Sequence, residues 1–117
     1  MKSFRVLRVW EKAHQLTLDV YKLTTSFPVE ERVGLTSRMR RAAVSSNIAE
    51  GCRRGSDADF ARFLHMAMGS ASELEYQVLL AYDLGFSAEE EYRRYASSVE
   101  EVKRMLSAFL KKLTVDR

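Results

Sequence analysis

A single cysteine, Cys52, leaves the chain without an intramolecular disulfide. A lone thiol fits a reducing compartment better than an oxidising one. The single proline and five glycines exclude collagen-like and low-complexity organisation. No apolar run approaches the roughly 18–20 residues that a membrane helix needs. The start, Met1-Lys2-Ser3-Phe4-Arg5, has no apolar segment of the kind a secretion signal carries. The default location is therefore the cytoplasm. No zinc spacing, phosphate-cradling glycine loop or G-x-S-x-G string occurs.

What is present is helical periodicity. Val9, Ala13, Leu16, Val20, Leu23 and Phe27 recur at steps of three and four, which gathers them on one helix face. Pro28 ends that helix, because it lacks an N–H and restricts the residue before it. Thr36 and Gly51 bracket a second helix whose face is small: Ala42, Ala43, Ser46 and Ala49. Ser56-Asp57-Ala58-Asp59 resembles a capping box, and Phe60, Leu64, Ala67, Ala71, Leu74, Val78 and Ala81 continue it as a third helix. Gly69 and its serine neighbours offer a place for close approach. Leu84-Gly85-Phe86 stops that helix, with Gly85 in the left-handed position and Phe86 folding back. Ser87 with Glu90 forms a second box, with Ser87 as N-cap. Tyr92, Tyr95, Val99, Val102, Leu106, Phe109 and Leu113 make the fourth stripe. The pattern predicts one all-α domain over 1–117, with helices at about 7–26, 36–51, 57–84 and 88–114. Short loops favour an antiparallel up-down-up-down four-helix bundle.

Candidate chemistry is sparse. Glu11-Lys12-Ala13-His14 has the Glu-x-x-His spacing of di-iron bundles, but three residues before His65 stands Arg62, not an acid. No metal and no cofactor are expected. Cys52 sits beside Arg53 and Arg54, which could activate it, yet no base or orienting group is identifiable. An enzyme is not expected. Glu75 falls at the margin of an apolar face and needs a partner, for which Arg40 or Arg41 is the expected choice. Glu73 points away from that face.

Charge is uneven. Residues 1–59 carry 11 Lys/Arg against 7 Asp/Glu, and residues 60–117 carry 8 against 9. The excess clusters at Arg38, Arg40, Arg41, Arg53 and Arg54. Such a cluster fits phosphate contacts, or simply a solvated face. A second possibility is a protein-interaction oligomer, with Val44, Ile48 or Met68 as exposed subunit contacts.

Several strings together carry a resemblance. They are Leu7-Arg8-Val9-Trp10, Phe27-Pro28-Val29-Glu30-Glu31-Arg32, Gly34-Leu35-Thr36-Ser37, Arg40-Arg41-Ala42-Ala43-Val44-Ser45, Ser46-Asn47-Ile48-Ala49-Glu50-Gly51 and Gly69-Ser70-Ala71-Ser72-Glu73-Leu74-Glu75. From Phe4 to Leu113 the chain resembles the four helix bundle protein family, also called the S23 ribosomal protein or 23S rRNA intervening-sequence protein family. The resemblance implies a homopentamer and no catalytic residues. Some members are encoded within insertions in bacterial 23S rRNA genes. A related protein is the basic, pentameric accessory subunit of diversity-generating retroelements, which binds reverse transcriptase and nucleic acid. The resemblance marks Asn47, Glu50, Glu73 and Glu75 as signature polar positions.

One departure matters. Members usually carry two more residues between the Ala-Ala-Val-Ser and Asn-Ile-Ala-Glu-Gly strings. On an unbroken helix, a deletion of two rotates every downstream residue by about 200°. That would set Ile48 opposite Met39 and bring Glu50 near it. Either the second helix is irregular near Ser45-Ser46, or it packs on two sides.

Overall fold

A computed structural model describes residues 3–115, and every regular element among them is helical. A 3₁₀ turn at Phe4–Val6 leads into α1 (Arg8–Thr24). A second 3₁₀ turn at Val29–Glu31 precedes α2 (Leu35–Arg40). Then come α3 (Val44–Cys52), α4 (Asp57–Asp83) and α5 (Glu89–Val115). α2 and α3 together make one rod of a four-rod bundle. The rods neighbour each other in the order α1, α2–α3, α4, α5 and back to α1, so α1 and α4 lie on opposite corners. The bundle is 46 Å long and 23 by 20 Å across.

One core runs through it. Ala13, Ile48, Leu64, Ala67, Ala71, Val99 and Leu106 are wholly shielded from solvent. They come from all four rods, and the three-four spacing of their helices puts them on inward faces.

The ends of the helices are set by local chemistry. α1 ends ahead of Pro28, and over its last turn the Thr24 and Thr25 hydroxyls donate to the carbonyls of Val20 and Tyr21 at 2.7 and 2.8 Å. The Ser56 hydroxyl accepts from the Asp59 N–H at 3.2 Å and caps α4. At the other end of α4, Gly85 has φ +81°. The Phe86 N–H donates to Ala81 at 2.8 Å and the Gly85 N–H to Tyr82 at 2.9 Å, a Schellman closure. Phe86 then packs on Phe27, with ring centres 5.4 Å apart.

Two local expectations are corrected. Ser87 does not cap α5. Its buried hydroxyl has no hydrogen-bond partner among the described residues, and the box is instead Glu91 accepting from the Ala88 N–H at 3.0 Å. Phe86 is turned inward onto Phe27 and shields the hydroxyl of the half-buried Ser87, and α5 starts at Glu89. Gly51, expected just past the second helix, lies inside α3, which continues through Cys52.

The second rod is the main correction. It is not one helix over 36–51 but two, broken at Arg41-Ala42-Ala43, a few residues ahead of Ser45-Ser46. Ala43 (φ −100°, ψ 39°) leaves helical geometry. The break restores the phase that the shorter sequence would lose. Met39, Val44 and Ile48 are all buried in the same core, at 1%, 2% and 0% exposure. Val44 and Ile48 are therefore not exposed subunit contacts, and Met68 is partly buried against the core. The hydrophobic demand of Met39 and Ile48 outweighs a few backbone hydrogen bonds at the kink.

α3 packs tightly on α4 at Gly51. A Cβ there would stand 2.9 Å from the Phe60 ring and 3.0 Å from the Phe63 Cβ. Gly51→Ala gains helix propensity of about 1 kcal/mol but overpacks this contact at a cost of about 1–3 kcal/mol. A net loss of stability is expected in urea denaturation. Gly69, by contrast, faces open space, so the close approach expected there is not made within the subunit.

Candidate nucleic-acid interface

The five candidate arginines separate into two groups. Arg38 and Arg41 are exposed on and just after α2, and Arg53 and Arg54 are exposed just after α3. α3 (Val44–Cys52) separates the two groups.

Arg40 belongs to the scaffold. Its Nε donates to the Thr24 hydroxyl at 2.8 Å and its Nη2 to the Tyr21 carbonyl at 3.3 Å. The guanidinium also lies 4.8 Å from the centre of the Tyr21 ring. It ties the short α2 to the last turn of α1, whose carbonyls lack helical partners. Arg40→Ala is expected to cost about 1–2 kcal/mol. It should change nucleic-acid affinity less than Arg41→Ala does, which thermal melts and binding titrations of the two variants would check.

Antiparallel packing brings the start of α1, the end of α3, the start of α4 and the end of α5 to one end of the bundle. Arg5 and Arg8, Arg53 and Arg54, and Lys111 and Lys112 come from three of these segments, and all six are exposed. Among the described residues only Arg54 of the six is paired with a carboxylate, Glu50 at 3.0 Å. Arg54 also covers the Phe63 ring at 4.6 Å, which fixes its direction. Sequence reasoning missed Arg5, Arg8, Lys111 and Lys112 as parts of this surface. Their signal was topological, since none of the three pairs is close to another in sequence.

This end also holds a cavity of about 540 Å³. Leu7, Cys52, Phe60, Phe109 and Leu113 provide its apolar lining, and Arg54, Asp57 and Lys112 its charged lining. The Phe60 and Phe109 rings meet edge to face, 5.3 Å between centres and 75° between planes.

The signature polar residues are spread out. Glu50 holds Arg54, while Asn47 is half-buried. Glu73 is exposed on α4. Glu75 pairs with Lys103 of α5 at 2.9 Å, not with Arg40 or Arg41. The correction has its cause in the packing: Glu75 lies on the side of α4 that faces α5, as does Tyr82, which stacks on Tyr92. The pair is partly solvated and contributes little stability.

His14 stacks on Trp10, with ring centres 4.8 Å apart and planes 7° apart. Among the described residues no three His, Cys, Asp or Glu side chains converge to hold a metal ion. Cys52 is buried. No described helix is long and apolar enough to cross a membrane.

An all-helical bundle with one basic end is the class that fold and charge define. Residues 5–108 match the family described as 23S rRNA-intervening sequence protein, and the chain belongs to that family. A crystal structure of a protein with unknown function from the S23 ribosomal protein family, from Bacteroides thetaiotaomicron VPI-5482, has the same fold. Its TM-score is 0.79 at 22% identity, over 88% of this chain and 98% of that one. No curated protein matches the chain.

Proposed function

We propose that this protein is a non-enzymatic, self-assembling binding protein. It holds nucleic acid, or an enzyme that works on nucleic acid such as a reverse transcriptase, through the basic end of its bundle. The observation that carries this reading is the set of exposed cations there, of which Arg5, Arg8, Arg53, Lys111 and Lys112 have no carboxylate partner among the described residues. Unpaired cations on a rigid surface can bind phosphates without first giving up another partner. Arg38 and Arg41 add a second, smaller contact. Gel-shift titration against structured RNA and DNA tests the reading. Affinity is expected to fall roughly tenfold or more between about 50 and 200 mM salt. Absence of binding at low salt, or binding indifferent to salt, would contradict it.

Assembly into a homopentamer, with the subunits in the cytoplasm, belongs to the same reading. The second reading is an oligomer that serves only protein contacts. An open face on α4 favours it: Gly69, Ser72, Tyr76 and Leu79 are all exposed, with Tyr76 at 60%. Beside them a groove of about 510 Å³ runs between α4 and α5, lined by Tyr92 and Ala96. Leu18 and Tyr21 are exposed on α1, at the opposite corner. Apolar patches on opposite corners suit head-to-tail contacts, which form a ring where the rotation between subunits closes. Native mass spectrometry at micromolar concentration decides: five copies support assembly, and a monomer removes it from both readings.

A further inference from the structure

The cavity at the basic end has a composition that neither the core nor phosphate contact alone requires. Phe60 and Phe109 are half-buried, so each ring packs on the core while also lining an accessible hollow. Its volume of about 540 Å³ is within the usual range for small-ligand sites, roughly 300–1,000 Å³. Arg54 and Lys112 are the exposed cations of its lining, and Arg53 and Lys111 adjoin them in sequence. Asp57, exposed at the start of α4, adds a carboxylate acceptor to the lining.

An aromatic hollow beside exposed cations is the combination by which proteins hold single strands. A ring face takes the base, cations take the phosphates on either side, and a carboxylate can accept from an exocyclic amino group. A base stacked inside a duplex cannot enter such a hollow, because its faces are already covered. We propose that this cavity receives one unstacked base of a single-stranded nucleic acid, with the flanking phosphates against Arg53, Arg54, Lys111 and Lys112. The assignment rests on the proposed nucleic-acid function and narrows it to a strand with at least one base free.

The test is fluorescence polarisation of the full-length protein at low salt. The probes are a labelled single-stranded oligonucleotide and a blunt duplex of the same sequence, each in RNA and DNA versions. The single strand is expected to bind more tightly. Phe109→Leu keeps an apolar side chain but removes the ring, and thermal melting would verify its fold. It should weaken single-strand binding roughly tenfold, the effect of removing one base–aromatic stack, and leave duplex binding within about twofold. On the unaltered protein, a nucleoside monophosphate should compete with the single strand where ribose 5-phosphate does not, which keeps the test independent of the variant. Equal affinity for both probes, with no competition by the nucleoside monophosphate, would overturn the cavity assignment and leave the phosphate reading intact. No binding of either probe at low salt would overturn both.

Discussion

Ile48→Ala is expected to destabilise the fold by about 2–5 kcal/mol, lowering the melting temperature by roughly 10 °C or more. Ile48 is wholly shielded from solvent, on the inward face of α3 and in one core with Met39 and Val44. The side chain reaches that face only because the rod breaks at Arg41-Ala42-Ala43. On an unbroken helix it would point to the opposite side, where truncation to alanine would cost well under 1 kcal/mol. The size of the effect therefore reports the break itself. Calorimetry of Ile48→Ala beside Val44→Ala makes the comparison. Large losses at both positions are the expected result, and a near-neutral Ile48→Ala would mean that the rod is continuous.

The second large effect concerns binding. A triple variant, Arg53→Gln with Lys111→Gln and Lys112→Gln, removes three exposed cations that have no carboxylate partner among the described residues. Stability should fall by no more than about 1–2 kcal/mol, because Arg53 caps α3 only through its backbone, which Gln keeps, and Lys111 and Lys112 lose a screened interaction with the negative end of α5. Nucleic-acid affinity should fall by roughly one to two orders of magnitude near physiological salt. The slope of log K against log salt should become shallower by about one for each phosphate that the variant no longer touches. Arg38→Gln with Arg41→Gln should have a smaller effect, since those two stand apart from the basic end. Binding titrations over a salt series give affinity and slope together. An unchanged slope in the triple variant would show that these cations do not touch phosphate.

Much of the fold could be read from residue spacing. The stripes of α1, α4 and α5 and the Gly85-Phe86 stop depend on local chemistry, and local chemistry decides them. The second rod could not be read in the same way. Arg41-Ala42-Ala43 contains strong helix formers and nothing that breaks a helix. The break comes from the need to bury Met39, Val44 and Ile48 together, a tertiary demand that overrides propensity. Ser87 misled for a similar reason, since the sequence offered a good cap but Phe86 packs inward and the Ser87 hydroxyl is shielded beside it.

The candidate site was legible in part. A run such as Arg53-Arg54 stands out, whereas Arg5, Arg8, Lys111 and Lys112 join it only once four segments meet at one end. Lys111 and Lys112 had a sufficient local explanation as complements to the negative end of α5. Arg40 carried a misleading signal: its charge looked available, but its guanidinium is held by Thr24 and Tyr21.

The proposed function stands or falls on whether the basic end of the bundle is the surface that meets nucleic acid. Ultraviolet crosslinking of the full-length protein to a bound RNA, with mass spectrometry of the crosslinked peptides, tests it most directly. Crosslinks are expected within 53–60 and 109–113, at Arg53, Arg54, Phe60, Phe109 and the two lysines. Crosslinks confined to the α4–α5 groove around Tyr76 and Tyr92, with none at the basic end, would contradict it.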